Sequence, residues 1–395
     1  FFHQDASMTT SVLSSAQRNA IHQATADAVG LPAQSYTSPE WMRSERDRIF
    51  APTWTAIGYV HSLPLASATP VELMELPLLI VKDPTGTVRV FHNVCRHRGR
   101  QLVDEACALQ GSIRCPYHSW TYNFDGSLRG TPHIGGHGIH DLKDFDPALH
   151  GLFQVRSAVW MDMLFVNLSA DASSFDKHIA PLEARWSKFT GAGDLSYARP
   201  VNDGGWMEME VRANWKLLVE NYCESYHLPW VHPGLNSYSK IEDHYSILAG
   251  DWGAGQGTTV FDFSERAGID LPVFAKWPEA EKKVAEYIAL FPNVLLGLQV
   301  DHFYAVVLLP VAVDRTVEQF QIYYVGDETL TERYAKARRT LLAGWREVFV
   351  EDFDPVEGMQ RGRASSAFDG GAFSPVLDTG THHFHKWVAA RLADN

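Results

Sequence analysis

The spacing of apolar positions changes twice along the chain. From residue 8 to 49 it is that of polar helices, ending in "SPEWMRSERDRIF", where Ser38 can cap a helix carrying Pro39 at its first position. From about 50 to 168 the period shortens to two. "VELMEL", "PLLIVKD" and "TVRVFHNV" read as strands, "DPTG" (83–86) and Asp125-Gly126 as turns, and "LFQVRSAVWMDMLFVNL" as two further strands. Beyond 169 the pattern is mixed. "GWMEMEV" (205–211) alternates as a strand, and "NWKLLVENYCESYH" (214–227) has helical spacing. "VLLGLQVDHFYAVVLLPVAV" and "EQFQIYYVG" read as long antiparallel strands. "TLTERYAKARRTLLAGWREVFVEDF" predicts one long helix with Thr329 and Glu332 as a capping box, and "THHFHKWVAARL" a last helix.

The expected class is therefore α+β: a helical segment over 1–49, a small all-β domain over 50–168, and a larger domain over 169–395 with an antiparallel sheet and long helices. The opening "FFHQDAS" precedes Met8 and reads as a remnant outside the fold (residues 1–7). A net charge of −13 argues against nucleic acid or an anionic membrane as partner, because both need clustered Lys and Arg. No apolar run approaches the roughly 18 residues of a membrane span. Four cysteines are too few for a disulfide scaffold at this length, so a reducing, cytoplasmic compartment is expected.

Two of those cysteines raise a question of chemistry. Cys95 and His97, then Cys115 and His118, form the pattern C-x-H-x17-C-x2-H, each pair in a loop after a strand. Thiolate and imidazole together can enclose a metal. Structural zinc, a Rieske [2Fe–2S] cluster and coincidence compete. Matching post-strand loops weaken coincidence, and zinc pairs usually read C-x2-4-C or H-x3-5-H. In the Rieske case two thiolates hold one iron and two imidazoles the other, so each loop gives one ligand to each iron. Cys107 belongs to neither pair and reads as an ordinary small residue, as does Cys223.

A second constellation lies in "NWKLLVENYCESYHLPWVHPGL". His227 and His232, five apart, would diverge on a regular helix, but Pro229 breaks it between them and Pro233 stops it afterwards. With a carboxylate from elsewhere they could form the facial triad of non-haem Fe(II) oxygenases.

Both motifs, in this order, resemble the Rieske non-haem iron oxygenase α subunits, from about Tyr36 to Trp387. The resemblance implies a Rieske domain and a helix-grip catalytic domain, with His227 and His232 as ligands of a mononuclear iron. It implies a third ligand in "VEDFDPVEGMQRG", either Asp352 or Asp354, with Asp352 better placed before Glu357 and "QRG". It also implies that Glu224 bridges the two metal centres between neighbouring subunits, which requires a ring, most simply a homotrimer. "ENYCESYHLPWVHP", with Glu224 where many ring dioxygenases carry Asp, looks closest to the choline, carnitine, glycine betaine and stachydrine oxygenases.

The implied function is the oxygenase component of a multicomponent system that uses O2 and electrons from NAD(P)H. It would hydroxylate or N-demethylate a small quaternary ammonium or betaine-type substrate. No G-x-G-x-x-G opens a βαβ unit, so the nicotinamide chemistry is expected in a separate reductase. Aromatic faces commonly hold such cations, and Tyr222, Trp206, Trp230 and Trp252 stand nearest the motifs. The alternatives are an aromatic-ring dioxygenase, and, in another class, a Rieske electron carrier or a zinc-stabilised binding module without oxygenase chemistry.

Overall fold

In a computed structural model, residues 12–191 and 194–393 are described; residues 1–7, read above as a remnant, lie outside them. The chain divides into two compact units, residues 56–172 and the remainder.

The smaller unit is all-β, as its period-two stretches predict. Its main sheet runs in the order Thr55–Tyr59, Met163–Asn167, Gln154–Trp160, Val88–His92, Leu76–Lys82, Ser67–Leu73 and Cys107–Ala108. A three-stranded sheet, Ile113–Arg114, Thr121–Tyr122 and Leu128–Gly130, carries the second Cys/His loop. "DPTG" closes the Leu76–Lys82 and Val88–His92 hairpin: the Asp83 carboxylate accepts N–H bonds from Thr85 and Thr87 at 2.9 Å each. A core of Leu79, Val81, Phe91, Ile113, Trp120 and Tyr122 joins the two sheets. Cys107 is exposed on the edge strand.

The larger unit is built on an antiparallel sheet ordered Ala198–Pro200, Arg315–Val325, His302–Ala312, Val294–Leu298, Ala285–Leu290, Gly253–Thr258 and His244–Ala249, with Trp206–Val211 also paired to Arg315–Val325. Helices Trp215–Tyr222 and Thr379–Arg391 pack on this sheet and on each other. Ser38 caps the helix Pro39–Glu45, its hydroxyl accepting from Glu40 N and Trp41 N. No helix among the described residues is long and apolar enough to cross a membrane.

Three expectations are corrected. Thr329 and Glu332 form no capping box: Thr329 lies in the 3-10 turn Asp327–Leu330 with its hydroxyl bonded back to Gly326 O, a second 3-10 turn covers Glu332–Tyr334, and the helix starts only at Ala335. That helix ends at Glu351, and a second one, Phe353–Arg363, begins after Asp352, so the predicted single helix is bent where its acids lie. The helix from Trp215 stops at Tyr222 instead of running to His227. There the Glu224 carboxylate takes the backbone N–H of Tyr226 and of His227, competing with helical bonding.

Candidate metal centres and the substrate cavity

In the smaller unit the two Cys/His loops have the same backbone. Cys95 N donates to Arg100 O, and Gly99 N returns to Cys95 O; Cys115 N donates to Trp120 O, and Ser119 N returns to Cys115 O. Gly99 and Ser119 occupy equivalent left-handed positions, with φ of 72° and 61°. These matching loops bury both thiols, and burial pushes the Cys95 thiol up, opposed by a bond from the Tyr122 hydroxyl at 3.3 Å. The His97 and His118 rings meet with centroids 4.7 Å apart, and His97 is stacked on Trp120 at 4.8 Å. His118 Nδ1 is buried with no partner among the described residues. Two buried thiols beside two imidazoles, one with an orphaned nitrogen, are the donor set that a [2Fe–2S] cluster with mixed ligands requires.

In the larger unit His227, His232 and Asp352 come together with one ligand atom each, all within 4.8 Å of one another. The broken helix makes this possible. His227 ends one turn, Leu228–Val231 forms a short helix with Pro229 in its first turn, and Pro233 starts another after His232. The two rings end 5.1 Å apart. Asp352 reaches them from the break between its two helices, with Oδ1 at 3.1 Å from His232 Nε2 and 3.7 Å from His227 Nε2. Asn221 Nδ2 donates to the same oxygen at 3.1 Å. Asp354, the competing acid, is exposed in the first turn of the next helix.

Each imidazole is held from behind by a carboxylate. His227 Nδ1 bonds Glu224 Oε1 at 2.6 Å, and His232 Nδ1 bonds Glu351 Oε2 at 2.7 Å. Donating Nδ1–H fixes the tautomer that leaves Nε2 free, and both Nε2 atoms face Asp352. Burial disfavours the His232 cation, but the Asp352 and Glu351 carboxylates outweigh it and raise its pKa. Two imidazole nitrogens and one carboxylate oxygen are a donor set that suits divalent iron. Glu351 and Asn221 were missed by the sequence reading. The doubled acid in "VEDFD" was the signal available for Glu351, but a choice of one ligand acid hid its neighbour's role.

A small cavity, partly open to solvent, adjoins this triad. Of the aromatic residues expected to line it, only Tyr222 does; Trp230 is 72% exposed, and Trp206 and Trp252 lie elsewhere on the sheet. The wall is built instead from Tyr287, Tyr304, Trp345, Phe349 and Phe353, which come from two strands and two helices distant from the motif in sequence. His244 also lines it; burial lowers its pKa, against the opposing effect of its bond to Gln256 at 2.8 Å.

Residues 199–394 match the family described as the catalytic domain of ring hydroxylating alpha subunits, and residues 53–145 match the Rieske [2Fe-2S] domain. The chain is 26% identical over 390 residues to the carnitine monooxygenase oxygenase subunit of Escherichia coli K12, covering 93% of this chain and 95% of that one. It is 26% identical over 363 residues to the chloroplastic choline monooxygenase of Arabidopsis thaliana, covering 90% and 81%. Its fold is similar to that of a quaternary ammonium Rieske monooxygenase solved with L-carnitine, with a TM-score of 0.74 at 21% identity over 95% of this chain and 99% of that one.

Proposed function

This chain belongs to the Rieske oxygenase α subunits, and we propose that it is the oxygenase component of a quaternary ammonium monooxygenase system. The observation that carries the reading is the convergence of His227 Nε2, His232 Nε2 and an Asp352 oxygen beside an aromatic cavity. Cys95, His97, Cys115 and His118 would hold the Rieske [2Fe–2S] cluster, and His227, His232 and Asp352 the mononuclear iron. Bound there, the metal centres supply electrons and O2 activation for hydroxylation of a substrate C–H bond.

The chain's own residues do the rest. Glu224 and Glu351 accept from Nδ1 of the two imidazoles and hold both Nε2 atoms turned toward Asp352, and Asn221 orients the Asp352 carboxylate. Tyr222, Tyr304 and Trp345 present ring faces to a methylated ammonium head. Oxygen insertion at an N-methyl carbon gives a carbinolamine, which loses formaldehyde to leave the demethylated amine. Carnitine and choline monooxygenases, its relatives, are named for such cations, which favours this reading over ring dihydroxylation. Electrons come from NAD(P)H through a separate reductase.

The Glu224 carboxylate keeps one oxygen on His227; we read the same group as the acceptor for the partner subunit's His118, which makes the working unit a ring, most simply a homotrimer. Four free cysteines suit a reducing, cytoplasmic setting.

Metal analysis after anaerobic reconstitution tests the reading. An oxygenase contains about three iron atoms per chain, two in the cluster and one mononuclear, whereas an electron carrier contains about two. Formaldehyde release from choline or carnitine in the presence of a generic reductase supports the monooxygenase; a cis-dihydrodiol from an aromatic acid refutes it.

A further inference from the structure

Glu318 sits on the strand Arg315–Val325, opposite Leu308 of its neighbour. Its side chain lines the same cavity as the His227, His232 and Asp352 triad. It is 2% exposed, and its Oε2 has no hydrogen-bond partner among the described residues. Buried carboxylates are ordinarily paired, because an isolated one loses its hydration without replacement. Glu318 is not part of the triad and was not among the residues singled out from the sequence. It is a carboxylate in want of a partner, at a cavity built to receive a ligand.

The surroundings say what the partner is. The Tyr222 and Tyr304 hydroxyls bond each other at 2.9 Å, and Tyr222 also donates to Leu296 O at 2.8 Å, so their polar ends are engaged. The Tyr304 and Trp345 rings lie 4.6 Å apart, adding to an apolar, electron-rich wall. Among the described residues lining the cavity there is no lysine or arginine. Away from the metal triad, the cavity thus offers an unpaired carboxyl and several ring faces to a cation, and no lysine or arginine to an anion. Burial, with the charge of Asp352 adding to it, pushes the Glu318 carboxyl up to about 8, a penalty that an incoming cation relieves.

We propose that Glu318 is the counter-charge for the ammonium head of the substrate, and that the substrate is a cation without an anionic group. An amino alcohol or an amine fits; a carboxylate-bearing betaine would bring a further negative charge into the cavity beside Glu318, with no lysine or arginine among the described lining residues to pair it. This rests on the reading of the site as a quaternary ammonium oxygenase, and it makes Glu318 a specificity-determining residue within it.

The test is equilibrium binding to the reconstituted holoenzyme, kept anaerobic and without reductant, by calorimetry and by Trp345 fluorescence. The probes are choline, its neutral isostere 3,3-dimethyl-1-butanol, and glycine betaine. Choline is expected to bind at least about tenfold more tightly than either of the other two, and Glu318→Gln to abolish that preference while leaving the neutral isostere's affinity unchanged. Equal affinity of the wild-type protein for choline and the isostere, or for choline and glycine betaine, overturns the proposal without any variant. So does absence of choline binding at millimolar concentration, a retained preference in Glu318→Gln, or a loss of both ligands in a variant that keeps its Rieske spectrum. Because the iron count is measured on the same sample, failure of the oxygenase reading shows as a missing mononuclear iron, and failure of the Glu318 proposal as absent cation preference with that iron in place.

Discussion

His232 Nδ1 lies 2.7 Å from Glu351 Oε2, while its Nε2 lies 3.1 Å from the oxygen of Asp352, the very next residue. Two successive acids therefore grip opposite sides of one imidazole. They can do so because the chain bends between them: Glu351 closes one helix and Asp352 precedes the next. One acid sets the tautomer and the other is left to share a metal. Glu351→Gln can still accept from Nδ1 but with less charge, so iron should remain bound with about 10- to 100-fold lower affinity. Chelator competition against the mononuclear iron measures this, and an unchanged constant would show that Glu351 does not support the site.

Asp352 and Asp354 make opposite predictions. Asp352→Ala should lose the mononuclear iron, lowering the metal content by about one atom per chain, while the Rieske absorbance and EPR signal persist, since that cluster's ligands lie in the other unit. Asp354 is exposed, so Asp354→Ala should keep both metals. Iron loss in Asp354→Ala with retention in Asp352→Ala would reverse the assignment of the ligand.

What the sequence disclosed and what it hid follow one physical rule. The Cys95/His97 and Cys115/His118 loops and the His227/His232 pair are local, so spacing and flanking prolines carry their geometry. The cavity wall is not local. Glu318, Tyr287 and Tyr304 stand on three strands of one antiparallel meander and Trp345 on the helix Ala335–Glu351, so they meet only in the folded unit, whereas the aromatic residues near the motifs in sequence (Trp206, Trp230, Trp252) do not line the cavity. The strand Gly253–Thr258 escaped notice for a different reason. Its alternating glycines give no β signal, yet a Cβ on Gly255 would stand 2.0 Å from Tyr287 O, so the close approach of the two strands requires them. The helix break at Asp352 was equally hidden, since "VFVEDFDPVEG" has continuous helical spacing and the proline falls within a permitted first turn.

Glu224 should affect turnover more than metal content. Its carboxylate holds His227 Nδ1 and the local turn, and Gln can accept the same bond. Glu224→Gln should therefore retain both metals but slow product formation by about 100-fold or more, as expected of a lost link between the centres. Single-turnover oxidation of the prereduced cluster in the presence of substrate and O2 reads this directly; a near-normal rate would remove Glu224 from the electron path.

Behind the site, Lys216 and Glu45 form a fully buried pair at 2.6 Å, with Trp215 Nε1 donating to the other Glu45 oxygen at 2.9 Å. Removing one member leaves the other charged and unpaired, so Glu45→Ala should cost about 3–5 kcal/mol of stability. The double variant Glu45→Met/Lys216→Met should recover most of that loss, because two apolar side chains of similar volume leave no stranded charge. Urea unfolding of the three proteins checks it. A double variant as unstable as the single one would mean that the pair contributes specific attraction beyond avoiding its own desolvation.

His178, on the helix Phe175–Thr190, supplies a pH test. Burial, with Arg391 adding to it, holds its pKa down to about 4, and its Nε2 is buried without a partner among the described residues. The folded state keeps this ring neutral down to about pH 4, whereas the unfolded chain protonates it near 6.5. Between those values the unfolded state binds more protons, so stability falls as the pH falls from about 6.5 to 4. The shift sets a ceiling of about 3 kcal/mol, reduced to about 2 because the ring keeps some exposure. His178→Gln should flatten that part of the stability curve relative to wild type. The measurement is denaturant unfolding at successive pH values, and parallel curves for the two proteins would show that His178 does not bear the acid sensitivity assigned to it.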